Sequence, residues 1–247
     1  MRLLIQLKAL ADGLYNDSAY NHKMQGVIYS CLKETPLGKL HEFKKPKLFC
    51  FSNLFPIGNF RQGDVRNLLI SSPNIELLTV VYKKIVDQII NVGNMRFKVV
   101  NAKFLEPRVK SNCVIHTATP IVIRFSGKDL EKVFAKPMRN VYWRPPFPQT
   151  LFLEHLERNI LEKFGFFVKT DPPQISLFSK AKAKLLKTVS KVIVVREKRF
   201  NIIGSLWRFH FKNLTPTKKA LLKFAVDSGF GELNSLGFGF VNVEVKK

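Results

Sequence analysis

Residues 20–34 read YNHKMQGVIYSCLKE, and the spacing of apolar side chains in this stretch decides the fold. Met24, Val27, Ile28, Cys31 and Leu32 fall at i, i+3, i+4, i+7 and i+8, which paints one continuous apolar stripe on a helix. A helix is predicted from Tyr20 to Glu34, ended by Pro36 and Gly38. Working outward, Arg2–Lys8 is short, mostly apolar and followed by Asp12, Gly13 and Asn16, the pattern of a strand running into a loop. Lys47–Leu54 and Arg66–Ser71 read as two more strands, and Ile75–Ile90 as a second amphipathic helix opened by Pro73 and Asn74. Arg96–Pro107 supplies a fourth strand. The order β, α, β, β, α, β is that of a ferredoxin-like module.

The second half follows the same order more faintly. Cys113–Phe125 is rich in β-formers, Pro145–Pro148 forms a rigid approach, and Leu151–Phe164 is apolar at helical spacing. Val189–Val195 and Asn201–Phe211 are predicted strands, Thr215 and Pro216 cap a helix reaching Ser228, and Phe238–Val245 is a final strand. The expected class is α+β, with two tandem ferredoxin-like domains over residues 1–110 and 111–247, joined near Lys110–Asn112.

Lys and Arg number 41 against 18 Asp and Glu, a formal charge of +23 that far exceeds what solubility needs. A polyanionic partner is implied. Nucleic acid fits best, because a folded basic domain gains affinity by releasing counterions from phosphates, whereas membrane surfaces recruit short basic amphipathic segments. No apolar run is long enough to span a bilayer. The opening MRLLIQLKALAD is interrupted by Gln6 and Lys8 and reads as a strand rather than a signal peptide, so a cytoplasmic protein is expected. Cys31, Cys50 and Cys113 are odd in number and widely spaced, against both a disulfide framework and a paired-cysteine zinc site, and read as core thiols. With no Walker loop, HExxH or EF-hand pattern and with scattered acids, any RNA chemistry is expected to need neither metal nor cofactor.

The most specific local feature is SGFGELNSLGFGF over residues 228–240, where Gly229, Gly231, Gly237 and Gly239 bring four of the 13 glycines into eleven residues. Glycine allows positive φ and close approach of a foreign backbone, and successive free N–H groups can cradle phosphate oxygens. A helix C-cap and tight turn would explain one glycine pair. The doubled pattern points to a binding loop. GFGFVNV also resembles the aromatic strand of RNA-recognition motifs. It departs from that pattern at Leu236, where a basic residue belongs, and at Val243, where an aromatic belongs.

Together, GFGELNSLGFGFVNVEV, YNHKMQGVIYSCL and LHEFKKPKLFCFS resemble the CRISPR-associated endoribonucleases that cut repeat RNA, the sixth Cas family within the RAMP superfamily. The resemblance covers essentially the whole chain. It implies two tandem ferredoxin-like folds, repeat RNA in a precursor transcript as substrate, and other CRISPR-associated proteins of an interference complex as partners. It also implies RNA contacts at Gly229, Gly231, Asn234, Ser235, Gly237 and Gly239. Its catalytic Tyr, His and Lys match Tyr29 in QGVIY, His41 in LHE and Lys47 in PKLF.

The residues themselves allow a check. At about 100° per residue, Tyr29 points roughly 130° away from the stripe centred on Met24, Ile28 and Cys31, and so leaves the core. His41 sits in a basic loop with Lys39, Lys44 and Lys45. RNA carries its own nucleophile, the 2′-hydroxyl, so scission needs in-line geometry, a base, an acid for the departing 5′-oxygen, and positive charge on the phosphorane. The resemblance suggests Tyr29 as base or hydroxyl positioner and His41 as acid, while the ordinary phenol pKa of about 10 leaves those two roles open.

A second basic region lies at Lys180, Lys182, Lys184, Lys187, Lys191, Arg196, Lys198 and Arg199, opposed by Glu197 alone, and reads as a phosphate track. Phe178, Phe200, Trp207 and Phe209 could stack on bases, although aromatics at strand spacing more often fill a core. His116, His155 and His210 have no metal-like spacing. Two alternatives to an endoribonuclease stand beside it: a noncatalytic repeat-RNA binder of the same superfamily, and a basic structural RNA-binding protein.

Overall fold

A computed structural model describes residues 1–14, 19–42, 45–126, 141–195 and 197–244. The first half forms a five-stranded antiparallel sheet from β1 (Arg2–Ala9), β2 (Cys50–Phe51), β3 (Val65–Ser71), β4 (Ile89–Val92) and β5 (Met95–Leu105), in the order β2-β3-β1-β5-β4. Helices α1 (Tyr20–Leu32) and α2 (Ile75–Ile85) cover one face. Leu3, Ile5 and Leu7 alternate along β1 toward that face and join Met24, Ile28, Leu78 and Val81 in one core. Asn74 caps α2, its side-chain oxygen accepting from the Glu76 and Leu77 amides at 2.9 and 3.3 Å.

The second predicted helix stops short of Ile90. Val86 is extended, Asp87 turns at a φ of 60°, and Ile89–Val92 becomes a strand paired with β5 across the Gly93–Asn94 turn. Ile90 and Val92 are buried while Ile89 and Asn91 face out, a period of two that the apolar run had concealed. The predicted strand Lys47–Leu54 pairs only at Cys50–Phe51.

The second half builds a sheet from β6 (Cys113–Thr117), β9 (Lys182–Val195), β10 (Lys198–Phe211) and β11 (Val241–Glu244), ordered β11-β6-β10-β9. Helix α3 (Gln149–Val168) connects β6 to β9 and α4 (Pro216–Ser228) connects β10 to β11. A small sheet of β7 (Arg124–Phe125) and β8 (Val141–Tyr142) precedes α3. In both halves the first strand lies between the third and the last, so both are ferredoxin-like. The β9–β10 hairpin is longer than its apolar segments suggested, because its lysine-rich end pairs as regularly as its core end. Helix α3 likewise extends beyond Leu151–Phe164 at both ends, and β11 begins at Val241 rather than Phe238. Val245, the predicted end of that strand, lies outside the described residues.

Phe152, Trp207 and Phe209 stack through the second core, and Phe178 is buried beside them. Of the four aromatics proposed for stacking, Phe200 alone is exposed, at 48%. Phe238 and Phe240 are buried, so the strand that resembled an RNA-recognition motif turns its aromatics inward. Cys31, Cys50 and Cys113 are free and buried, and burial pushes the Cys50 thiol up to about 12, as for an inert core thiol. No helix among the described residues is long and apolar enough to cross a membrane.

Candidate active site

Helix α1 carries its core stripe on one side and a polar stripe, Asn21, Gln25 and Tyr29, on another. The i, i+4, i+8 spacing stacks these three side chains along the helix. Each meets the short 3-10 turn Asn234–Leu236 inside the glycine-rich tail. The Asn21 amide donates to the Leu236 carbonyl at 2.5 Å, the Gln25 amide donates to Ser235 Oγ at 3.1 Å, and Ser235 lies near enough to the Tyr29 phenol to pull its pKa down. Tyr29 is half-buried, and burial raises its pKa above the ordinary phenol value against the opposing pull of Ser235.

The chain after α1 turns back through a 3-10 helix, Gly38–His41, which sets the His41 ring 5.8 Å from the Tyr29 ring. Phe49 braces the other side of Tyr29 edge-on at 5.7 Å. His41 Nδ1 lies 2.9 Å from the Gly38 carbonyl, which can only accept, so Nδ1 carries the proton and Nε2 is left for chemistry. His41 is exposed, with Glu42 Oε1 3.8 Å from Nε2. Lys47 donates to the carbonyl of Leu40, the residue before His41, and partial burial lowers its pKa. The three sequence-matched residues thus gather on one side of the first half of the chain. No three His, Cys, Asp or Glu side chains among the described residues group closely enough to hold a metal ion.

A cleft of about 410 Å³ reaches Lys47, lined also by Lys45, Arg124, Asn159, Lys163 and the tail from Gly231 to Ser235. The carboxylate of Glu232 is held by Arg124 at 2.5 Å. Lys45 is exposed, its ammonium 5.6 Å from the Phe166 ring. Lys44 and Arg196 lie outside the described residues.

The four tail glycines are buried and have positive φ between 68° and 89°. A Cβ on Gly239 would lie 1.9 Å from the Phe230 carbonyl oxygen, and one on Gly231 would lie 2.5 Å from that of Val122. Gly231 and Gly239 thus admit close approach of this chain's own backbone, while a Cβ on Gly229 or Gly237 would meet the side chains of Asn234 or Phe51. Glu232, Leu233, Asn234 and Ser235 are the tail residues between the two glycine pairs that face the cleft. Lys182, Lys184, Lys187, Lys198 and Arg199 are exposed along the β9–β10 hairpin. Lys191 is drawn inward, 5.9 Å from the Tyr20 ring, and burial lowers its pKa.

Sequence reasoning missed Asn21 and Gln25, although their spacing to Tyr29 was readable. It also missed Lys163, the lysine that occupies the buried α3 stripe after Leu156 and Ile160. A charge in an apolar stripe was the available signal.

A family model described as "CRISPR associated protein Cas6, C-terminal" matches residues 104–243. "CRISPR-associated endoribonuclease Cas6 2" of Methanocaldococcus jannaschii is 30% identical over 98% of this chain and 99% of its own length. "CRISPR-associated endoribonuclease Cas6" of Haloferax mediterranei is 31% identical over 100% of this chain and 94% of its own length. A solved structure described as "An RAMP protein binding different RNA substrates" superposes with a TM-score of 0.75 over 99% of this chain and 100% of that one, at 22% identity.

Proposed function

The chain belongs to the Cas6 family of CRISPR-associated endoribonucleases, and on that premise we propose that it cuts repeat RNA within precursor transcripts by metal-independent attack of a ribose 2′-hydroxyl on its own phosphate. The observation that carries this reading is the convergence of Tyr29, His41 and Lys47 beside a basic cleft. On this reading residues 1–110 bring the reacting groups, and residues 111–247 bring the tail and the basic hairpin.

The chemistry follows from the environment of each group. Attack by the 2′-oxygen releases one proton and the departing 5′-oxygen takes one, leaving 2′,3′-cyclic phosphate and 5′-hydroxyl ends. His41 Nε2, exposed and with its tautomer set by Gly38, suits one of these transfers. Tyr29, its pKa raised by burial, stays a neutral phenol at pH 7 and serves as a hydrogen-bond donor rather than a base. Gln25 donates to Ser235 Oγ, which leaves the serine proton free to turn toward the Tyr29 oxygen and the phenol proton free to reach substrate. Lys47 supplies positive charge to the phosphorane. Lys184, Lys187, Lys198 and Arg199 hold flanking phosphates, with Lys44, Lys45 and Arg196 assigned to the same work from their place in the sequence.

Incubation with repeat RNA in EDTA is the test. Cleavage to cyclic-phosphate ends, blocked by a 2′-deoxy nucleotide at the cut, is expected; intact RNA at micromolar protein rejects the reading. His41→Ala is expected to retain binding while slowing cleavage by about 10²–10⁴-fold.

A further inference from the structure

Lys163 lies on α3 in the second domain, yet it is tied to the tail that touches Tyr29. Its side chain occupies the apolar stripe of Leu156 and Ile160, and the residue is only 4% exposed. An ammonium has three donors, and all three are used: Nζ donates to the Gly229 carbonyl at 2.5 Å, the Gly231 carbonyl at 3.1 Å and Asn234 Oδ1 at 3.1 Å. The other end of the Asn234 amide donates to the Phe230 and Phe238 carbonyls at 3.1 and 3.0 Å, which closes the tail on itself. Ser235 is the next residue; its hydroxyl oxygen accepts from Gln25 at 3.1 Å, one helical turn before Tyr29, and Ser235 lies near enough to the phenol to pull its pKa down. The Gly229 and Gly231 carbonyls both accept from this one buried Nζ, so Lys163 satisfies backbone oxygens on two turns of the tail.

We propose that Lys163 is a positioning residue for the cleavage reaction, fixing the tail so that Asn234 and Ser235 hold the Tyr29 phenol in its reactive orientation. The inference rests on the function proposed above. Lys163 contributes through Ser235 and Tyr29, so its effect must vanish where Tyr29 has no hydroxyl to orient.

The experiment is a double-mutant cycle in the full chain, read by single-turnover cleavage of the repeat RNA and by affinity for the same RNA carrying 2′-deoxy at the cut. Lys163→Met is expected to slow cleavage by about 10–100-fold, with affinity within about threefold of the parent, as for a misplaced catalytic group. In the Tyr29→Phe background the same substitution is expected to cost nothing further. A loss of equal size in both backgrounds, or a loss of affinity matching the loss of rate, would mean a merely structural lysine and overturn the proposal. If Lys163→Met fails to fold, Ser235→Ala removes one hydroxyl of the same chain of contacts; an unchanged rate, or a loss additive with Tyr29→Phe, overturns it equally. A parent protein that does not cleave, or a Tyr29→Phe variant as fast as the parent, would instead sink the reading of the active site, and the inference with it.

Discussion

The Arg2 guanidinium lies 4.5 Å over the Phe240 ring and donates to Asn242 Oδ1 at 2.9 Å and to the Val241 carbonyl at 2.5 Å. The first strand of one sheet thus grips the last strand of the other. Met1 reinforces the junction, its ammonium 2.6 Å from Asp227 at the end of α4. This junction ties the end of the glycine-rich tail to the first sheet.

Arg2→Met keeps much of the packing but removes the charged donors and strands a buried carbonyl. We expect a loss of about 2–3 kcal/mol, since hydrogen bonds to charged groups are worth more than neutral ones. Denaturant midpoints compared at an unchanged m-value measure it. A variant as stable as the parent would mean that the junction contributes little.

The glycines divide into two kinds. Gly239→Ala meets the Phe230 carbonyl at 1.9 Å and sits at a φ of 70°, so a loss of more than about 2 kcal/mol and poor recovery of folded protein are expected. Gly26 lies within α1, and a Cβ there meets nothing within 4 Å. Gly26→Ala should raise stability by about 0.5–1 kcal/mol, visible as a higher melting temperature.

Burial lowers the Lys163 pKa to about 7 from an ordinary 10.5, with the Cys50 thiol and the Glu232 carboxylate opposing the shift. Between these values the unfolded chain binds the extra proton, so the contribution of Lys163 is complete above about 10.5 and lost as pH falls through 7. Stability is therefore expected to rise with pH from 7 to 9 by up to about 1.4 kcal/mol per unit from this group. Lys163→Met removes that component of the slope. Denaturation at several pH values, with parent and variant compared, checks the sign.

Lys187 and Lys198 are exposed on the hairpin. Replacing either by Ala should weaken RNA binding at low salt and flatten the plot of log affinity against log salt by about one counterion, leaving the cleavage rate at saturating protein unchanged. An unaltered salt slope would take these lysines off the RNA path.

Much of this molecule is written locally. The Met24–Leu32 stripe, the Asn74 and Thr215 caps and the alternation along β1 each depend on neighbours within a turn or a strand, so both helix-and-strand orders could be read directly. The place of Tyr29 off the apolar stripe was legible for the same reason, but not that it packs half-buried against the edge of that core beside Phe49. The run after Ile85 was not, because an unbroken series of apolar residues fits a buried helix as well as a hairpin, and only pairing with β5 chose between them.

The sequence by itself determined the order of elements, the excess of positive charge and the need for glycine at fixed places in the tail. The folded chain decided that those glycines are packed against other parts of this same chain, that Lys163 is buried among carbonyls, and that Ser235 meets Gln25 on the helix that carries Tyr29. The reason is physical: periodicity and capping act over a few residues, whereas burial and hydrogen-bond satisfaction belong to whichever distant segments the packing of two sheets brings together.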